Sequence, residues 1–479
     1  MVYSSPEFIL LFVFTLCAYL LSRKRGLRFC VLLSASLTFY AWAGIFDTAV
    51  FLCVIGVSWT AVAASRRWPR RAGILIPAGI AVMTGHLLFW KYVPWLCLQV
   101  QNFWPGFLGG LKVSLPLPIG ISFFTLQGIA YLVDFRRGQA KYMTFSSYML
   151  FKTFFAQLVA GPIVRAKQLL PQLETLESPQ ASDLAAGLSL FVFGFAKKLL
   201  VADRAGQWVD AVFADPGRWN REALALALAG YTVQIWADFS GYTDMGRGCA
   251  RMLGLRLPEN FMSPYLSRTP SEFWRRWHIT LSEWIRDYVY IPLGGSRGGA
   301  LRTFGAVVLT MGLSGLWHGA NWTFACWGLY HGGLLVVERY GNMGWIGLRG
   351  RSRGLAGWAL TLAAVIFGWL LFRSPTLPAA GYYLTRLFSR AGGDFLPGQA
   401  IRDLGSALVT CALLQIVLYR DLASDRTLLA AWLVPRLDAG RAGRASLAGL
   451  FAGAVLAVVF VSAILLRPSQ AKTFIYFQF

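Results

Sequence analysis

RTFGAVVLTMGLSGLWHGANWTFACWGLYHGGLLVVER, residues 302–339, holds two apolar runs hinged at His318. The stretch is apolar enough to lie in lipid, yet it contains two of the chain's four histidines. An ionisable side chain at membrane depth is costly and marks a functional position by default. His318 lies 16 residues beyond Arg302, about 24 Å along a helix rising about 1.5 Å per residue. Gly312, Ser314, Gly315 and Gly319 accompany it, and such small residues let neighbouring helices approach closely. The chain then breaks at HGAN and descends through 322–338 to Arg339. One continuous helix would hold His331 roughly 20 Å from His318, too far for a shared site. His331 therefore reads as structural or supporting unless Gly319 folds the two runs together.

The rest of the chain has the same character. Its 479 residues are 56% hydrophobic and only 14% charged, where a soluble protein carries about a quarter charged residues. Apolar runs of spanning length recur along it, so the chain is polytopic and all-α, with the bilayer as its main partner. The net charge of +23 comes in short Lys and Arg bursts between apolar runs. That is the bias of cytoplasmic loops, and without a basic stripe or reader motif it excludes nucleic acid. The seven cysteines form no CxxC pair and read as small buried hydrophobes. No basic residue precedes the first apolar run, whereas Arg23, Lys24, Arg25 and Arg28 follow it, which is not the pattern of a cleavable signal.

The bursts at 23–28, 66–71 and 136–141 set one side of the membrane, which places Met1 outside. Spans are expected over 8–21, 29–43, 48–65, 72–90 and up to about 134, with a Trp- and Gly-rich interfacial segment to about Gly110. The stretch 143–170 is interrupted by Lys152, Gln157, Gly161 and Pro162. It reads either as a re-entrant, cavity-lining element or as an ordinary span ending at the Gly-Pro pair. A helix over 184–200 is expected to end in Lys197 and Lys198, followed by a span over 221–237. Further spans fit 355–373, 403–419 and 446–466, with an aromatic tail KTFIYFQF that suits an interface. The total is roughly eleven to thirteen spans in one integral domain: N-terminal spans 1–140, a core 141–340 and C-terminal spans 341–479.

Asp238 and Asp244 lie beside the 221–237 span, with Ser240 and Tyr242 between them. The carboxylates either belong to a site, orienting a histidine or a donor, or cap a following helix. Thr269, Pro270 and Glu272 start another helix as a capping box. At about 100° per residue, Trp274, Trp277, Leu281, Trp284, Ile285 and Tyr288 form one apolar stripe. His278 falls on its edge, beside a band of Arg275, Ser282 and Arg286, as in a helix lying in the membrane interface. His86 is alone on an apolar run and reads as structural. His278 and His318 lack the spacing of a metal site, and histidine is the usual proton carrier near neutral pH. Two classes remain on these residues: a proton-coupled transporter, or an enzyme moving a group from a donor on one side to an acceptor on the other. Arginines beside His278 favour an anionic donor.

FWRRWHITLSEWIRDYVYIPLGG (273–295) and GLWHGANWTFACWGLYHG (315–332) resemble the bacterial branch of the membrane-bound O-acyltransferase (MBOAT) family, in particular its alginate O-acetylation subfamily. Supporting stretches follow in the family's order: PIGISFFTLQGIAYLVD (118–134), AGPIVR (160–165), IWADFSGYTDMGRG (235–248), ENFMSPYLSR (259–268) and the terminal FIYFQF. The resemblance implies a multi-pass protein of the bacterial inner membrane that passes an acyl group through a tunnel to an outer hydroxyl. The implied donor is a cytoplasmic thioester, acetyl-coenzyme A in this branch, with no bound cofactor and no metal. The implied acceptor is a polysaccharide, reached directly or through a periplasmic acetyltransferase partner. The family's essential histidine falls on His318 and its second on His278. Arg275, Arg276 and Arg286 become candidate anchors for the donor's phosphates, or else interfacial anchors. Ser282, Trp317, Asn321, Asp238 and Asp244 complete the expected binding set.

Overall fold

Helices in this chain start where the sequence supplies a cap. Ser5 Oγ accepts from Phe8 N–H at 3.3 Å with Pro6 at the first position, and Thr376 Oγ1 accepts from Ala379 N–H at 3.2 Å. The computed structural model describes residues 1–104, 107, 113–158, 161–340, 351–389, 392–423, 453–454, 457–465 and 474–475, without the side chains of 351–353 and 417–423. The described residues are helical with no strand, as the apolar periodicity requires. Among them five helices are long and apolar enough to cross a membrane: Ile45–Arg67, Pro69–Phe103, Ala181–Ala214, Gly299–His318 and Gly354–Arg373. The chain is a multi-pass membrane protein. About half of the expected 446–466 span and most of the aromatic tail lie outside the described residues.

Two units compose the chain, and the first comprises 1–188 with 246–258. It holds α1 (Pro6–Leu21), α2 (Arg25–Ala41), α3 (Ile45–Arg67), α4 (Ala72–Phe103) and α5 (Ile121–Arg136). The three basic bursts fall at the junctions of α1 with α2 and of α3 with α4 and at the end of α5, as the hydropathy reading expects. One basic residue leaves that pattern: Arg28 is buried and donates to the carbonyls of Ser22 and Leu176, both at 2.8 Å. The segment after residue 90 also differs from expectation, because α4 continues through Pro94 to Phe103. Unwinding there would strand further backbone groups in an apolar setting, a larger cost than the one hydrogen bond a proline removes.

The interrupted stretch becomes α6 (Phe145–Thr153) and α7 (Phe155–Leu158), with α8 (Ala166–Thr175) after an extended segment. Nine and four residues cannot cross a bilayer. Fully buried Lys152 donates to the carbonyl of Phe124, and Gln127 Nε2 donates to Val164 O at 3.3 Å. The irregular backbone is satisfied inside protein, which favours the embedded reading over the ordinary span.

The second unit comprises 189–245 and 259–479 and carries both motif histidines. α9 (Ala181–Ala196) does not stop at Lys197 and Lys198 but runs through a π-helical turn at Lys197–Ala202 into α10 (Asp203–Ala214). The lysines need no water because each meets a carboxylate. Lys198 Nζ lies 2.8 Å from Asp203 and 2.7 Å from Asp238, and Lys197 pairs with Asp244. α11 (Arg221–Met252) is continuous through both aspartates, so Asp238 and Ser240 are interior helix residues and cap nothing. Gly194 and Gly241 let α9 and α11 meet backbone to backbone, since a methyl group on either would meet the other's carbonyl oxygen.

The remaining elements are α12 (Pro270–Arg276), α13 (Ile279–Ile285), α14 (Gly299–His318), α15 (Trp322–Tyr340), α16 (Arg351–Arg373), α17 (Leu377–Phe388) and α18 (Gly398–Ala423). α14 and α15 form a hairpin whose seam is glycine. A Cβ on Gly315 would meet the carbonyl oxygen of Phe324, and one on Gly328 would meet that of Met311. The small residues act as the sequence reading expects. Around the hairpin lies an aromatic core that includes Trp236, Trp277, Trp327 and Trp369, all fully buried.

Candidate active site

The helix that starts at Thr269 forms as expected, with Thr269 Oγ1 accepting from Glu272 N–H at 3.2 Å. The expected single stripe through Tyr288 does not. The helix ends at Arg276, and His278 takes a left-handed backbone with φ 43° and ψ 53°. The cause is a neighbouring segment, Glu259–Met262. Met262 N–H donates to Arg276 O at 2.9 Å and Ile279 N–H donates to Asn260 O at 3.0 Å. These bonds use backbone groups that a continuous helix would need. Histidine is among the residues that tolerate this conformation.

Asn260 Oδ1 then accepts from Thr280 N–H at 3.2 Å and from Thr280 Oγ1 at 2.9 Å, and lies 3.1 Å from His278 Nδ1. His278 is fully buried among Phe239, Phe261 and Trp317, with ring centroids at 4.7, 6.4 and 6.0 Å. Burial disfavours the imidazolium and lowers its pKa to about 3. The ring is therefore neutral in the working range of an enzyme.

His318 is the last residue of α14 and is also buried. Trp317, Trp327 and Phe372 surround it at 4.9, 5.1 and 5.1 Å. Trp317 thus touches both motif histidines. The fold-back at Gly319 also brings in His331, whose ring lies 4.9 Å from Trp327. Trp327 packs on both His318 and His331, and the one-helix separation between the two histidines does not apply. Trp274 and Phe273 pack on His331 at 5.2 and 6.3 Å, and its Nε2 faces Gly368 of α16. His331 is an aromatic-cage residue beside the site. His86, in the first unit, accepts from Trp90 Nε1–H at 3.0 Å.

A cavity of about 170 Å³ opens among α12, α13, α14 and α15, lined by Trp274, Ser282, Arg286, Thr310, Met311 and Ser314 among others. Thr310, Ser314 and His318 are spaced by four on α14 and share one face. His318, not itself a lining residue, lies about 12 Å further along that face from Thr310. Thr310 Oγ1 is buried and has no hydrogen-bond partner among the described residues.

The expected binding residues separate on this geometry. Ser282 and Arg286 line the cavity, with Arg286 exposed and 2.7 Å from Asp287. Arg275 is exposed, and Arg276 is committed to Glu272 at 2.8 Å and to Met262 O at 3.2 Å. Trp317 lies against both histidines. Asn321 ties the hairpin turn down, donating to Pro375 O at 2.8 Å and accepting from Thr323 N–H at 3.1 Å. Asp238 and Asp244 pair with lysines, and Asp238 Oδ2 also accepts from Ile475 N–H at 2.7 Å. Phe474 stacks on Tyr242 at 4.5 Å and touches Phe239 at 5.7 Å, and Phe239 in turn packs on His278 at 4.7 Å.

Sequence reasoning missed Asn260, Thr310 and the lysine partners of the aspartates. Only the last had a signal. Two lysines and two aspartates in neighbouring apolar helices invite pairing, because intramembrane charges seek each other.

Comparison with known proteins places the chain in a family. The sequence model of the MBOAT, membrane-bound O-acyltransferase family, matches residues 7–346, which include both motif histidines. The chain is 37% identical over 407 residues to the probable alginate O-acetylase of Pseudomonas aeruginosa, covering 81% of this chain and 75% of that protein. It is 34% identical to the probable alginate O-acetylase of Pseudomonas putida, covering 100% of both chains. It is 33% identical to the peptidoglycan O-acetyltransferase of Helicobacter pylori, covering 63% of this chain and 62% of that one.

Proposed function

The chain belongs to the membrane-bound O-acyltransferase family and is an acyltransferase, and from that premise we propose that it moves an acetyl group from cytoplasmic acetyl-coenzyme A to a hydroxyl of an extracellular or periplasmic polysaccharide of the alginate type. The observation that supports this reading is a cavity lined by Thr310 and Ser314, which share a face of α14 with His318. A mostly apolar chamber with Arg286 at its wall suits the arm of a thioester whose far end bears phosphates. In the bacterial inner membrane, with Met1 outside, such an arm enters from the cytoplasm. A periplasmic acetyltransferase partner completes the path to the polymer.

In the reaction, His318 takes the proton of the acceptor hydroxyl as its oxygen attacks the thioester carbonyl. The C–S bond breaks, the thiolate leaves and regains the proton from His318, and the products are coenzyme A and an O-acetyl ester. Neutral His278, whose second nitrogen can only accept, relays a proton or accepts from an N–H of the donor's arm to orient the thioester. Transfer of D-alanyl or another acyl group to a cell-wall polymer is the alternative within the class, and the similarity to a peptidoglycan O-acetyltransferase favours the cell-wall acceptor within it.

The test is release of free thiol from acetyl-coenzyme A by purified protein in vesicles. Folded His318→Ala should be slower by about 10²–10⁴-fold, the usual contribution of a positioned base. An unchanged rate removes His318 from the mechanism. Flux of a solute without thioester breakdown would support a transporter instead.

A further inference from the structure

Asn260 has no titratable group, yet the geometry of His278 depends on it. Fully buried, it lies in a segment whose backbone holds the α12–α13 break open through Ile279 N–H and Met262 N–H. Its side chain faces Thr280 and His278 together. The Thr280 backbone nitrogen can only donate, so the Asn260 atom opposite it is the amide oxygen. His278 Nδ1 lies 3.1 Å from that same oxygen and must therefore carry a hydrogen. A neutral imidazole protonated at Nδ1 presents the Nε2 lone pair on its other edge.

We propose that Asn260 is a positioning residue of the acyl-transfer site: its amide oxygen fixes His278 as the Nδ1–H tautomer and makes Nε2 the nitrogen that serves the reaction. The part concerning reaction rests on the function proposed above; the part concerning tautomer does not. The same oxygen caps α13, because His278 at the N-cap position makes no side-chain cap of its own. One residue thus starts the helix that lines the cavity and orients the imidazole at its head. Asn260 Nδ2 is left buried without a hydrogen-bond partner among the described residues. The amide has been turned to serve Thr280 and His278 at the expense of its own donors.

Two measurements on the full chain in lipid separate the tautomer from the activity. Histidine ¹⁵N spectra distinguish protonated from lone-pair nitrogens, and with four histidines in the chain the His278→Gln variant assigns the signal. The parent should show His278 protonated at Nδ1. Asn260→Leu should lose that preference, and Asn260→Asp, which keeps an acceptor in place, should restore it. In thiol release from acetyl-coenzyme A, Asn260→Leu should lower kcat about 10- to 100-fold, as loss of a histidine-orienting partner does, with KM little changed. Asn260→Asp should recover most of it.

A parent His278 protonated at Nε2 overturns the proposal, as does an Asn260→Leu variant with unchanged tautomer and kcat. If Asn260→Leu does not fold, the parent and Asn260→Asp spectra still decide. Failure of the parent to consume any thioester would overturn the acetyl-transfer reading, while the spectra would still decide the tautomer.

Discussion

The two motif histidines both sit at helix breaks, but the breaks have different origins. At His318 the cause is local: glycine follows, α14 ends, and the chain turns through an Asn321 that anchors the start of α15. At His278 the cause is remote: a segment 16 to 19 positions upstream claims the backbone and supplies the cap. A locally coded break persists wherever the hairpin forms. A remotely coded one exists only in the assembled unit, and any change to the remote segment acts on the histidine.

Substitutions can break this comparison at either end. The largest effects belong to the chemistry, at His318 and then at Asn260, as described above. Next comes the hairpin seam. Gly328→Leu would drive a side chain into the Met311 carbonyl, at a cost of about 1–3 kcal/mol for overpacking. Thermal unfolding in detergent should shift to lower temperature, with the His278 tautomer of the remaining folded protein unaltered. An altered tautomer would show that the two breaks are coupled. A smaller effect is expected from Thr310→Val, which keeps the shape of the chamber and removes a buried hydroxyl that has no hydrogen-bond partner among the described residues. Loss of a single hydrogen bond of about 0.5–1.5 kcal/mol should raise KM for acetyl-coenzyme A by up to about tenfold and leave kcat alone. A change confined to kcat would take Thr310 out of donor binding.

The smallest effect should be none at all. Because burial lowers the His278 pKa to about 3, the neutral form persists as pH falls from 8 to 5. Its ¹⁵N signals should not move over that range. Protonation within it would mean that water or a counter-charge reaches the ring.

The sequence reading succeeded where causes are short-range or compositional. Basic bursts between apolar runs located α1 to α5, and small residues around His318 anticipated the glycine seam. The motif pair singled out the two histidines that now flank Trp317. It failed where a distant segment intervenes. The 100° periodicity carried one stripe through His278 because no residue in 270–288 announces the break. Asn260 caps a helix from outside it, so it leaves no capping-box spacing to find. Lys197 and Asp244 are 47 positions apart, and only the close approach of Gly194 and Gly241 shows why a helix can pass straight through two lysines.

The glycine seam between α14 and α15 has a mechanical side. Where backbone rests on backbone there is no side chain to rotate and no slack to take up, so the hairpin forms a stiff plate. The facing wall of the chamber is carried by α12 and α13, two seven-residue helices joined through a single left-handed histidine. The two walls are thus held in different ways, the hairpin by backbone contact along its own length and the α12–α13 wall by the bonds that Glu259–Met262 makes on either side of the histidine.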